Sequence, residues 1–275
     1  MAAFDTELVG KIGSMALINQ RDHDIDYNIF ARIGRELRPG WIWVSSGATE
    51  IGRLDYIRRN GCELQGDKEE NKSDYSAQGQ AILMMNYRQF IDPRFSVRQL
   101  LVEHQHFNDE KKSGRVRDFL LRCAAQNAIP IVNYNDTVSF EENRKWEIAA
   151  LQKSRRHVVE CVDNDETAAQ IACLVKSRVL LILTSVDGIY RDHTDPSTLQ
   201  REISGKDADE VIANIEEFKK SCVGASRAGA NGARAKLEFI KEPVMLGTKV
   251  MIANAKYGIR EVLEGRVPCT VVGVR

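Results

Sequence analysis

The sequence predicts an α/β fold: a mostly parallel central sheet flanked by helices on both faces, in a three-layer α/β/α sandwich. Three observations predict it. Short apolar runs rich in β-branched residues recur along the chain, continuous rather than alternating, as in strands covered on both sides. Between them lie apolar stripes at helical spacing. Polar clusters of Asp, Asn, Ser and Gly stand where the runs end, the place where a parallel sheet feeds loops into helix N-termini.

The elements follow in order. "ELVGKIGS" (7–14) is the first and weaker strand. Ile25, Ile29, Ile33 and Leu37 recur every four residues and mark a helix, ended by Pro39-Gly40. "WIWVSS" (41–46) is the next strand, and the polar stretch 61–76 reads as a loop. Val116, Phe119, Leu120 and Cys123 give a helical stripe after Ser113, its expected N-cap. Strands are then expected at 129–134 ("IPIVNY"), 156–162 ("RHVVECV"), 179–185 ("VLLILTS"), 248–254 ("TKVMIAN") and 269–274 ("CTVVGV"). The charged segment 140–156 reads either as a solvated helix around Trp146, Ile148 and Leu151 or as a mobile flap. With no repeat, low-complexity tract or linker, residues 1–275 are expected to form one domain, with lobes at roughly 1–160 and 161–275.

Bulk composition narrows the function. The 275 residues are 43% hydrophobic and 28% charged, and 39 acidic side chains balance 39 basic ones. Zero net charge argues against a nucleic-acid or membrane-surface partner. No run approaches a membrane span, and "MAAFDTELVGKIG" does not read as a signal peptide. Six cysteines without a CxxC pattern fit a reduced, cytoplasmic protein with no structural zinc.

Five polar clusters stand at strand ends: Gly10-Lys11-Ile12-Gly13-Ser14, Ser45-Ser46-Gly47-Ala48, Asn133 with Asn135-Asp136, Asp163-Asn164-Asp165, and Thr184-Ser185-Val186-Asp187-Gly188. "GANGARAKLEF" (229–239) adds a glycine turn and Lys236. Singly, each has a plain structural reading. Asp163 with Glu166 resembles a capping box, Ser45 or Ser46 caps a helix, Asn135-Asp136 makes a turn, and the full P-loop pattern is absent. Together they face one cleft. Two lysines and several carboxylates there suit phosphoryl transfer, in which cations neutralise a migrating phosphoryl group.

In order and spacing, "GKIGS", "VSSGA", "IPIVNYND", "CVDNDETAAQIA", "LTSVDGIY" and "GANGARAKL" resemble the amino-acid kinase superfamily, in particular the catalytic domain of glutamate 5-kinases. The resemblance runs from about residue 8 to 273. It implies an ATP- and Mg²⁺-dependent kinase acting on a small-molecule carboxylate such as glutamate, with Mg²⁺ carried mainly on the ATP phosphates and a homo-oligomeric assembly. It implies that Lys11 and Lys236 contact the transferring phosphoryl group while Asp165 holds both lysines. Gly13, Ser14 and Gly47 would cradle phosphates or substrate through backbone N–H groups; Ser46, Asp136, Asp163 and Asn164 would contact the acceptor. Thr184, Ser185, Asp187, Gly188, Ile189 and Tyr190, with Gly229 and Gly232, would line the nucleotide pocket.

The chain also departs from that pattern. The stretch between Asp136 and Asp163 is longer and more basic than glutamate 5-kinases usually carry, Ala235 stands where a threonine is usual, and Asn231 replaces a glycine. After "TVVGVR" no C-terminal RNA-binding-like domain is expected. Uridylate or isopentenyl phosphate kinases of the same superfamily are the alternative, and an inactive nucleotide-binding storage or regulatory protein is the third reading. On a strand His104 and His106 would share one face as a candidate metal pair, but surface or loop positions are the expectation, and Trp41, Trp43 and Trp146 are expected in packing.

Overall fold

The computed structural model describes residues 3–153, 158–161, 163–192, 194–221 and 232–275. Its centre is an eight-stranded sheet. In chain order the strands are β1 (Thr6–Ile12), β2 (Trp41–Ser45), β3 (Ser96–Val102), β4 (Ala128–Tyr134), β5 (Ser177–Thr184), β6 (Glu202–Gly205), β7 (Lys249–Asn254) and β8 (Cys269–Val274). They lie side by side as β6-β8-β7-β5-β1-β2-β4-β3. All these ladders are parallel except that of β7 with β8. Every residue of β2 and β4 is buried, which is why those runs read as continuously apolar.

Neighbouring strand residues face opposite sides and build two cores. On one side Leu8, Ile12, Trp43, Leu181 and Met251 pack with Ile33 of α1 (Tyr27–Glu36), Ile51 of α2 (Ala48–Asn60), Leu83 of α3 (Lys68–Phe90) and Ile259. On the other, Val9, Val44, Ile182 and Ile252 pack with Leu120 of α4 (Glu110–Ala125), Ile171, Ile215 and Leu237. Helix α5 (Glu141–Gln152) follows β4, and α6 (Asn164–Leu174) precedes β5. Further helices are α7 (Ala208–Ser221), α8 (Ala233–Phe239), α9 (Lys241–Met245) and α10 (Ile259–Leu263).

Helices α2 and α3 touch backbone to backbone. A Cβ on Gly52 would lie 1.8 Å from the Tyr75 carbonyl oxygen, and one on Gly79 would lie 1.8 Å from that of Ala48. Only hydrogen fits at either position.

Several expectations need correction. The polar stretch 61–76 is not a loop throughout. Helix α3 starts at Lys68, with Asp67 accepting from the N–H groups of Glu69 and Glu70. Ser113 lies inside α4, whose cap is Asp109, bonded to Lys112 N–H at 2.8 Å. Of the strand expected at 156–162, residues 158–161 are not in a strand, and 156, 157 and 162 lie outside the described residues. His104 and His106 belong to a one-turn helix region (Gln105–Asn108) rather than a strand, and His104 is buried against Glu147 of α5, with Nε2 2.7 Å from Oε2. Trp41 and Trp43 are packed, whereas Trp146 is 76% exposed. The edge strands β3 and β6 carry no continuous apolar run and were not expected.

Candidate active site

Lys11 sits in the middle of the sheet, where β1 pairs Lys11 with Val44 of β2 and with Ile182 of β5. The residue is only 5% exposed, so its ammonium group requires a partner. Asp165, in the first turn of α6, supplies it: Oδ1 lies 2.5 Å from Lys11 Nζ. The other carboxylate oxygen lies 2.9 Å from Nζ of Lys236, which α8 carries in from a distant part of the chain. Burial alone would push the Asp165 carboxyl up, but the charges and hydrogen bonds of Lys11 and Lys236 outweigh it and hold it at about 2. The trio has one net positive charge, and its two cations converge on one carboxylate that offsets their repulsion.

The start of α6 is fixed by the two residues before Asp165. Asp163 is the N-cap, its Oδ1 accepting from the N–H groups of Asp165 at 2.8 Å and Glu166 at 3.0 Å. Asn164 ties the helix to the sheet: Oδ1 accepts from Tyr134 N–H at 3.0 Å and Nδ2 donates to Asn133 Oδ1 at 2.9 Å. Asn133 Nδ2 in turn donates to Gln80 Oε1 on α3 at 2.7 Å. Asp163 and Asn164, expected to contact the acceptor, thus hold the helix bearing Asp165 against β4.

Beyond β4 the chain turns back over the N-terminal half of α3. Asp136 Oδ1 lies 2.7 Å from Lys72 Nζ, and Ser73 Oγ donates to the Thr137 carbonyl at 2.5 Å. The Tyr134 hydroxyl bonds Ser139 and Arg144, and burial pushes its phenol up. Helix α5 lies next, with Ile148 buried.

The remaining expected residues line the same edge of the sheet. Gly13 N–H is engaged by the Leu183 carbonyl at 3.0 Å, so as it stands it does not serve as a phosphate-cradling donor. Ser14 opens a short 3₁₀ turn (Ser14–Ala16). Ser46 N–H donates to Ile12 O at 3.0 Å, which staples the end of β2 to β1. Gly47 caps α2 at φ +109°, a conformation that favours glycine, with Leu17 Cδ1 2.9 Å from where a Cβ would stand. After β5, Thr184 Oγ1 accepts from Val186 N–H at 3.0 Å, and the Ser185 carbonyl accepts from Asn254 Nδ2 at 3.1 Å. Asp187 Oδ1 is 2.8 Å from Lys256 Nζ. Gly188 packs on Thr270, whose Oγ1 accepts from Ile189 N–H. Burial and Asp187 push the Tyr190 phenol up. Gly232 precedes α8, and Gly229 lies outside the described residues. Lys72, Gln80 and Lys256 are residues of this edge that sequence reading missed; none of them lies in one of the singled-out polar clusters.

A profile of the amino acid kinase family matches residues 7–254. The chain belongs to the amino acid kinase family. A glutamate 5-kinase of Streptococcus suis (strain 05ZYH33) is 28% identical over 258 residues, spanning 90% of this chain but 64% of that enzyme. A glutamate 5-kinase of Alkaliphilus metalliredigens (strain QYMF) is 26% identical over 279 residues, 96% of this chain and 94% of its own length. Carbamate kinase from Giardia lamblia bound to AMP-PNP superposes over the whole of both chains with a TM-score of 0.58 at 14% identity, a likeness of fold. The amino acid kinase fold thus accounts for the mostly parallel sheet.

Proposed function

We propose that this amino acid kinase is an ATP-dependent phosphotransferase whose acceptor is a carboxylate of a small amino acid such as glutamate, giving an acyl phosphate. The observation that carries this is the buried Asp165 bridging Lys11 and Lys236. A binding-only protein has no need of two cations held at one carboxylate. Lys11, from the sheet, and Lys236, from α8, are positioned to neutralise charge developing on a migrating phosphoryl group. Asp165 keeps the two cations together before any substrate enters. An acceptor carboxylate is already ionised at neutral pH, so the chain need not supply a strong base. The glutamate 5-kinase relatives support the acceptor class. Mg²⁺, which neutralises phosphate charge when bound, fits here as an ion held mainly by phosphate oxygens. Among the described residues no group of three His, Cys, Asp or Glu side chains stands ready for a metal.

One observation favours a second acceptor class. Lys72 already neutralises Asp136, the carboxylate expected to meet the acceptor, which favours a more anionic acceptor such as a phosphate ester over one carrying an ammonium group. Steady-state ATP turnover with glutamate, other amino acids, uridine monophosphate and isopentenyl phosphate decides between them. Turnover with none of these and no acceptor-dependent loss of ATP would overturn the kinase reading.

A further inference from the structure

Gln80, Asn133 and Asn164 form a chain of side-chain amides running from α3, across the end of β4, to the residue before Asp165. Five of their six amide heteroatoms are paired: Asn164 Oδ1 with Tyr134 N–H, Asn164 Nδ2 with Asn133 Oδ1, and Asn133 Nδ2 with Gln80 Oε1. The sixth, Gln80 Nε2, is buried and has no hydrogen-bond partner among the described residues. Leaving a buried amide donor unpaired is destabilising, so such groups persist where something else satisfies them. Gln80 Nε2 is bonded to the same carbon as Oε1, which Asn133 contacts at 2.7 Å, so the orphan donor lies in the corner between α3 and the strand end expected to meet the acceptor.

We propose that Gln80 is an acceptor-recognition residue: its Nε2 donates a hydrogen bond to an oxygen of the phosphoryl acceptor, and the Asn133–Asn164 relay couples that contact to the helix turn holding Asp165. This rests on the kinase reading above. The donor suits an acceptor that places an oxygen in that corner, chemistry shared by carboxylates and phosphate esters. The relay assigns Gln80 two separable jobs. Its Oε1 positions Asn133, and its Nε2 meets the substrate.

Gln80→Glu separates them, because it keeps an oxygen for Asn133 while removing the donor; Gln80→Met removes both and serves should the charged variant fold poorly. Wild type and both variants would be assayed with glutamate, uridine monophosphate and isopentenyl phosphate as acceptors, with melting temperature as the folding control. The expected result is an acceptor KM raised tenfold or more in each variant, an ATP KM within about twofold of wild type, and the larger change in Gln80→Glu, by analogy with loss of a hydrogen bond to a charged partner. The arm that wild type turns over tells whether the oxyanion is a carboxylate or a phosphate. A folded Gln80→Glu with a wild-type acceptor KM overturns the inference while leaving the kinase reading intact. A wild type with no turnover in any arm overturns both.

Discussion

Asp165 Oδ2 lies 2.9 Å from Lys236 Nζ, and the pairing joins the first turn of α6 to α8, more than seventy residues further along the chain. Lys11 is held by the interior of the sheet and Lys236 by a two-turn helix. Asp165 joins the two cations through its two carboxylate oxygens.

Lys236→Ala is expected to lower kcat by about 10²-fold or more, the scale of losing one preorganised contact to a developing charge. Nucleotide binding, followed by titration calorimetry, should persist because the strand-end turn after β5 is untouched. An unchanged kcat would remove Lys236 from the reaction.

Asp165→Asn should be nearly as damaging to kcat although it preserves shape, since the two ammonium groups then repel without a counter-charge. It should also change the acid limb of stability. The Asp165 carboxyl is held at about 2 rather than 3.8, so its stabilising contribution is present above pH 4 and is lost as pH falls through about 2. The contribution is on the order of 2 kcal/mol, and urea denaturation of wild type and variant between pH 5 and pH 2 should converge at the acid end. Parallel curves over that range would contradict it.

Gly52→Ala and Gly79→Ala should each destabilise the fold, because the added methyl group would stand 1.8 Å from a backbone oxygen of the facing helix. The expected loss is roughly 1–3 kcal/mol or more, read as a drop in melting temperature. Exposed Gly61, with nothing within 4 Å of its Cβ position but φ +74°, separates backbone strain from steric collision as a control.

Helix α5 is expected to close over the acceptor when both substrates are bound. Trp41 and Trp43 are buried and Trp146 is 76% exposed, so a change in the exposed component of tryptophan fluorescence reports on α5. ATP plus the true acceptor should shift that emission to the blue and slow proteolysis near residue 153. Identical spectra and cleavage with and without ligands would leave α5 as a solvated helix.

The buried layer was readable in the sequence because its strands are wrapped on both faces: "WIWV" and "AIPIV" are unbroken apolar runs, and polar residues enter only at their ends. The edge strand β3 was not, since Arg98 and Gln99 interrupt it and only Val102 is buried. The start of α3 misled because Lys68, Glu69 and Glu70 are polar from solvent exposure, and the cap Asp67 looks like any other loop aspartate. Lys11, Asp165 and Lys236 could be picked out by residue type and order. Lys72 and Gln80 could not, because nothing in a polar helix sequence says which side chain meets Asp136 or Asn133 across the fold.

The bonds from Asn164 to Tyr134 N–H and to Asn133 bring the two ends of the long β4–α6 connection together independently of what lies between. With both ends stapled, a change in the length of the connection adds little closure entropy, since doubling a flexible loop costs only about 0.6 kcal/mol. Natural variation and deliberate redesign can therefore lengthen, shorten or exchange that stretch while Asp165 keeps its place between the lysines. The clamp makes the connection an interchangeable module, open to new acceptors without rebuilding the phosphoryl-transfer centre.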